Sequence, residues 1–428
     1  MNSSKPFHFA GHDTVALAQE YGTPLYVMSE DLIRQQCRSI REALLEKHPG
    51  SRAAYASKAY LSMAMCRIIE SEGLCLDVVS GGELYTAREA GFPMERIILH
   101  GNNKSEEELT MAVEFGVGRV VVDHLEEINL LEALAAGKDR PMDIQIRIVP
   151  EVEGKTHRHI MTGQKDSKFG IPLVPEVIEK AVQSAMDSPH IKLKGFHFHL
   201  GSNLFQQEIY VEAIQRVMKL CHHLKQSLGY EAEEINAGGG YGIRYTEADQ
   251  PQPPSWYTDA IMETVQKMAK ELSLKQPNVI IEPGRWIAGE AGITLYTIGT
   301  IKEIPEVRTY VSVDGGLPDN IRPALYNARY DAVVANKADQ PKTQTVTIAG
   351  KCCETGDILI YDLKTPPLER GDILAVLSTG AYGESMANNY NRLPRPATIM
   401  LKGEEVRVVN RRETYEDLLR REREADIS

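Results

Sequence analysis

Short apolar runs alternate with longer amphipathic stretches through the first two thirds of the chain. The runs are Ala53–Ser57, Cys75–Val79, Arg96–His100, Arg119–Val122, Asp143–Pro150, Leu193–Leu200, Glu234–Ala237 and Asn278–Glu282. Most are continuously apolar or β-branched, as strands covered on both faces tend to be. The segments between them read as helices. Ser105 followed by Glu106, Glu107 and Glu108 is an N-cap with an acidic first turn. Gly81-Gly82-Glu83-Leu84 opens another helix, with Gly91 as its C-terminal stop. Strand-plus-helix units repeated eight times over roughly 250 residues fit a closed (β/α)8 barrel of the TIM type. An open doubly wound sheet has the same periodicity. Reactive side chains decide between them. Lys58, Asp77, His199 and Glu282 fall at or near the carboxyl ends of runs far apart in the chain, and a barrel gathers such ends around one mouth.

After about Gly292 the pattern changes. Tyr310–Asp314, Thr345–Ala349, Asp372–Leu377 and Ala397–Leu401 are strand-like with little helix between them. Leu401-Lys402-Gly403-Glu404-Glu405 leading into Val406–Val409 reads as a hairpin. The expected organisation is α/β: a barrel over residues 24–291, and a mostly β domain from residues 1–23 and 292–428. Pro24-Leu25-Tyr26-Val27 is expected to enter the barrel, and Glu413–Ser428 to form a closing helix.

Composition narrows the class. The 428 residues are 42% hydrophobic and 25% charged, ordinary for a soluble globular protein. A net charge of −12 argues against a nucleic-acid binder, which needs a basic surface. No apolar run has the length of a membrane span, and Met1–Pro6 lacks the apolar stretch of a signal peptide. The six cysteines are sparse and irregular, which suits a reducing cytoplasm.

Four motifs carry the candidate chemistry. They are Tyr55-Ala56-Ser57-Lys58-Ala59, Gly195-Phe196-His197-Phe198-His199-Leu200-Gly201-Ser202, Ala237-Gly238-Gly239-Gly240-Tyr241-Gly242 and Ile281-Glu282-Pro283-Gly284-Arg285. They supply an amine, an aromatic cation, a glycine cradle for an anion, and a carboxylate beside an arginine. Pyridoxal phosphate needs that set: a lysine for its aldehyde, a flat partner for its ring, donors for its phosphate and a partner for its ring nitrogen. Each element has a plainer reading. Lys58 could merely end a strand, the glycines could form only a turn, and Glu282 could pair with Arg285. His197 and His199 share a strand face, and His157 and His159 repeat the spacing, so a metal site is a second reading. No HExxH or CxxC pattern accompanies either pair. The glycines lack GxGxxG spacing, and Gly101-Asn102-Asn103-Lys104-Ser105 lacks the first glycine of a P-loop. Cys353 would by default be an inert buried thiol, but its polar Cys-Glu-Thr-Gly-Asp loop also suits a functional one. Tyr382 could give its hydroxyl to phosphate or only pack.

Together these residues resemble the fold-type III pyridoxal-phosphate decarboxylases, a group that includes ornithine, arginine and diaminopimelate decarboxylases. The likeness is closest to the diaminopimelate branch. Ser167-Lys168-Phe169-Gly170, Asp314-Gly315-Gly316, Arg322-Pro323-Ala324-Leu325-Tyr326, Cys353-Glu354, Gly380-Ala381-Tyr382-Gly383 and Asn389-Tyr390-Asn391 carry it beside the motifs above. The resemblance implies an alanine-racemase-like barrel with a β domain, and decarboxylation of meso-2,6-diaminopimelate to L-lysine. It implies that Lys58 holds the cofactor, that His199 stacks on its ring and that Asp77 belongs to its site. Ser202, Gly238, Gly239, Gly240 and Tyr382 would bind phosphate, and Glu282 would face the ring nitrogen. Arg285, Arg322, Tyr326 and Glu354, with Tyr382, would grip the distal end of the amino acid. Cys353 would act across the interface of a homodimer. The alternative is a related decarboxylase taking another amino acid or a carrier-bound intermediate. A racemase of this fold would place arginine near the ring nitrogen, against Glu282. The chain departs from the family pattern at Trp286, Asn327 and Thr355, all expected near the distal pocket.

Overall fold

The structure, a computed structural model, describes residues 5–152 and 167–422. His157 and His159 lie outside the described residues. The chain forms two compact units, one of Arg34–Ile243 and Pro251–Ile287, the other of Met1–Ile33, Arg244–Gln250 and Ala288–Ser428.

The first unit is a closed barrel. Its strands are β1 (Arg52–Ala56), β2 (Cys75–Val78), β3 (Ile97–Leu99), β4 (Arg119–Val122), β5 (Met142–Val149), β6 (Ile191–His197), β7 (Glu234–Asn236) and β8 (Asn278–Ile281). Each of the eight apolar runs forms its strand. All neighbours pair in parallel, and both β8 with β1 and β5 with β6 are joined, so no edge is left. Ring closure excludes the open sheet. The helix at Glu106–Phe115 has the Ser105 cap as a complete capping box with Glu108.

The barrel interior is polar to an unusual degree. Branched apolar layers normally fill such an interior, and Ala54, Ile98, Val121 and Ile280 form only a small cluster of that kind. At the amino-terminal end of the strands, Arg119 of β4 grips Glu234 of β7 with two hydrogen bonds, of 2.7 and 3.0 Å. It also donates to Asp143 of β5 at 2.7 Å. Gln145 donates to the same Glu234 at 3.0 Å. Side chains of strands that are not neighbours thus meet on the barrel axis and plug its floor.

The second unit is built on a sheet running Ile358–Thr365, Gln344–Ala349, Arg308–Val313, Gly292–Ile304, Leu25–Ser29, Ala397–Lys402 and Glu405–Asn410. Its centre is the long strand Gly292–Ile304, which pairs with Leu25–Ser29 and Ile373–Val376 through its first half and Arg308–Val313 through its second. A register shift between Ile298 and Ile301 separates the halves. Leu25, Val27, Ile293, Leu295, Ala375 and Ile399 form its core. The hairpin around Gly403 forms as expected.

Three expectations change. Leu25–Ser29 does not enter the barrel. It is a fully buried central strand of the β unit, held parallel to Ala397–Lys402, and the division falls after Ile33 instead of at residue 24. A run apolar on every residue does not reveal which sheet buries it. Arg244–Gln250 and Ala288 onward also belong to the β unit, so the barrel ends before residue 291. The closing helix is only Tyr415–Leu419 within the described residues.

Burial raises the Glu234 carboxyl, but hydrogen bonding and charge from Arg119 outweigh it and hold the pKa below the ordinary value. That contribution is present at neutral pH and fades as pH falls through the folded-state pKa. Replacing Arg119 with alanine leaves Glu234 buried without its main partner, which should cost about 3–5 kcal/mol at pH 7. Urea unfolding at pH 7 and pH 4.5 checks this: the deficit of R119A should shrink at the lower pH, where Glu234 protonates more easily.

Candidate active site

The carboxyl ends of the barrel strands carry the sequence-selected residues of this unit. Lys58 follows β1 in a single turn of 3-10 helix, Ser57–Ala59, and is exposed between buried neighbours. Asp77 lies on β2, His197 ends β6, and Glu282 follows β8; all three are buried.

Glu282 is the hub. Its Oε1 accepts from Asn236 Nδ2 at 2.6 Å and lies 2.9 Å from His100 Nε2. Its Oε2 contacts His197 Nε2 at 3.1 Å. Burial alone would raise this carboxyl, but His100 and His197 outweigh it and hold Glu282 well below the usual carboxylate range. Burial pushes His197 down to about 3 against the pull of Glu282, so His197 serves as a neutral donor. Glu282 therefore makes its partners of imidazoles and an amide, while Arg285 donates to Ser202 Oγ at 3.1 Å. Among the described residues, the cluster of three close enough to share an ion is His100, His197 and Glu282, which does not include His199. Within it, His197 hydrogen-bonds Glu282, and the His100 and His197 rings meet edge to face with centres 4.7 Å apart.

His199 differs from the expected aromatic cation. Burial, then the charges of Lys58 and Arg147, push its pKa well below the ordinary value, so the ring is neutral. Its Nδ1 accepts the Gly239 N–H at 3.4 Å. The glycine run is a turn that only glycine fits. Gly238 and Gly240 have φ of +66° and +105°. A Cβ on Gly239 would lie 2.0 Å from the Glu282 carbonyl oxygen, and one on Gly240 2.1 Å from that of Gly201. This turn, Ser202 and Arg285 bring bare backbone, a hydroxyl and a guanidinium together, which suits an anion.

Residues 30–289 match the family described as pyridoxal-dependent decarboxylase, pyridoxal binding domain. The chain belongs to that family. It is 49% identical over 419 residues to the diaminopimelate decarboxylase of Bacillus subtilis, covering 98% of this chain and 95% of the relative. The corresponding Mycobacterium tuberculosis enzyme is 41% identical over 419 residues, 96% of this chain and 93% of its own. The solved diaminopimelate decarboxylase of M. jannaschii in complex with L-lysine has a TM-score of 0.91 and 36% identity, covering 97% of this chain and 95% of its own.

The family's cofactor is pyridoxal phosphate, and the barrel fits it. A carboxylate has about four acceptor sites. The hydrogen bonds from Asn236 and His197 leave room on Glu282 for a further donor, as a protonated ring nitrogen requires. Asp77 Oδ1 is buried without a hydrogen-bond partner among the described residues.

Several residues here were not singled out from the sequence: His100, Arg147, Gln145 and Asn236. All sit on or directly after barrel strands, in the alternating positions that point inward. Inward parity was their available signal. Arg147 also explains the Ser167–Gly170 motif. Its guanidinium stacks 4.5 Å from the Phe169 ring centre, and Gly170 donates to Asp123 at 2.9 Å beside it.

The other expected residues belong to the β unit. Arg322 is buried, donates to the Tyr330 hydroxyl, and lies 5.0, 5.6 and 5.9 Å from the ring centres of Tyr245, Tyr330 and Tyr382. Tyr326 and Glu354 are exposed. Asn327 caps the Arg322–Tyr326 helix with φ +52°, a left-handed conformation that asparagine tolerates best after glycine. Its departure from the family pattern is therefore backbone-compatible. Cys352 and Cys353 differ. Burial and Asp357 push the Cys352 thiol up to about 12, while Cys353 is exposed, its N–H held by Asn391 at 2.8 Å.

Replacing Gly239 with alanine should reduce pyridoxal phosphate affinity by at least about tenfold, because the new methyl collides with backbone rather than a side chain that can turn away. Titration of apo-protein by absorbance checks it, and an unchanged affinity would refute the tight-turn argument.

Proposed function

We propose that the chain decarboxylates meso-2,6-diaminopimelate to L-lysine and CO2. The observation that carries this reading is the likeness to diaminopimelate decarboxylases over nearly the whole chain. Pyridoxal phosphate, when bound, supplies an electron sink for the pair left behind when CO2 departs. Lys58 would hold it through its side-chain amine, the group suited to its aldehyde and to freeing the product. Glu282, kept ionised by its donors, holds the proton on the ring nitrogen. His199 offers a flat neutral face, and the Gly238–Gly240 turn with Ser202 anchors the phosphate. In this reading Arg285 is assigned to the substrate, Tyr382 to phosphate and substrate, and Asp77, 3.7 Å from His100, to the cofactor.

At the substrate's distal end, Arg322 and Glu354 have opposite charges, which suits a terminus bearing both a carboxylate and an ammonium. The tyrosines around Arg322 limit its rotamers, so its fork is already oriented. Tyr326 supplies a further hydroxyl. Cys353 is the thiol that helps return a proton to Cα. We further propose a cytoplasmic homodimer in which each site uses Cys353 of the partner subunit. All six cysteines are unpaired, in keeping with a reducing compartment.

The loaded protein should release CO2 rapidly from meso-2,6-diaminopimelate and negligibly from L-ornithine, L-arginine or L-lysine, with L-lysine accumulating. Turnover on another of the four, or on none, would overturn the substrate assignment. K58A should abolish turnover. Mixing inactive K58A and C353A proteins should restore about a quarter of the wild-type rate, since half of randomly reassorted dimers are mixed and each has one intact site. No recovery after proven subunit exchange would rule out shared sites.

A further inference from the structure

One buried side chain touches both ends of the cofactor site. Asn236, the last residue of β7, is fully buried. Its Nδ2 donates to Glu282 Oε1 at 2.6 Å and reaches Gln145 Oε1 at 3.3 Å. Its Oδ1 accepts the N–H of Gly238 at 3.1 Å. The Gly238 carbonyl in turn accepts the Glu282 N–H at 2.8 Å. Gln145 is itself fixed to Glu234, the centre of the barrel floor. The carboxylate assigned to the ring nitrogen and the first glycine of the phosphate turn are therefore held by one amide, which is braced from below.

We propose that Asn236 is a positioning residue that sets the distance between the ring-nitrogen carboxylate and the phosphate turn. The inference rests on the assignment of Glu282 and Gly238–Gly240 to the cofactor. An amide is the side chain of this size that can do both tasks without added charge. It needs a donor for a carboxylate and an acceptor for an N–H on the same planar group, and alanine offers neither. Aspartate keeps the acceptor and the shape, but presents a second carboxylate to Glu282. Two carboxylates that close cannot both ionise readily, so one would take a proton more easily than usual. When protonated, the aspartate donates to Glu282 as the amide does.

The test compares wild type, N236D, N236A and E282A, each titrated with pyridoxal phosphate from pH 6 to 9 and scored by dissociation constant and cofactor absorbance. N236A should weaken binding by roughly ten- to a hundredfold at every pH, the loss expected for a hydrogen bond to a charged group. N236D should bind within a few fold of wild type near pH 6 and fall progressively behind it as pH rises. A side chain that served only folding would weaken N236D without that pH-dependent ratio. A constant N236D-to-wild-type ratio, or N236A affinity within twofold of wild type, overturns the proposal. E282A separates the two levels. If it leaves the cofactor absorbance and its pH response unchanged, the assignment of Glu282 to the ring nitrogen has failed; if it alters them while the Asn236 variants behave as wild type, only the role of Asn236 has.

Discussion

A carboxylate buried inside a barrel is the constraint around which this site is arranged. Left alone, Glu282 would take up a proton or destabilise the fold, because removing a charge from water costs several kcal/mol. It stays ionised because side chains reach it from three strands: the His100 ring after β3, 2.9 Å away, and hydrogen bonds from His197 on β6 and Asn236 on β7. Asn236 contributes its hydrogen bond without any charge. His197 is held neutral by the same burial that threatens Glu282. The result is a negative charge held by one amide and two imidazoles, suited to holding a proton on a ring nitrogen.

The same logic extends down the barrel axis. Asn236 is braced by Gln145, Gln145 by Glu234, and Glu234 by Arg119. A core of branched aliphatics would pack as well, but could not hold a carboxylate at the mouth. A polar core must be satisfied throughout or it is worse than an apolar one, and here the ladder ends in an arginine that answers its last carboxylate. Glycines complete the arrangement where side chains would be in the way. The turn after β7 passes so close to the Glu282 and Gly201 carbonyls that it cannot carry a Cβ.

The β unit solves a different problem with aromatic rings. Arg322 is buried, and three tyrosine rings surround its guanidinium where a carboxylate would cancel its charge. The two adjacent cysteines show how one loop separates two like groups. Asp357 accepts the Cys352 N–H and holds that thiol protonated, which leaves Cys353 as the exposed one.

The sequence by itself determined the strand order, the barrel class and the chemical inventory. Each barrel strand is a local apolar run whose period and flanking caps are written in consecutive residues. Lys58, the glycine run and Glu282 stand out because each is chemically out of place at the end of such a run. Cys353 stood out beside Cys352, but only the fold distinguished their exposure. Tertiary structure alone decided what depends on residues far apart in the chain. It assigned Leu25–Ser29 to the β sheet, since a fully apolar run records burial but not the partner that buries it. It made His199 neutral, because desolvation and the nearby Lys58 and Arg147 charges exist only once the strands converge. It also revealed Asn236 and His100, whose residue types are ordinary at strand ends and whose importance comes from Glu282, the carboxylate that ring closure brings within reach of both.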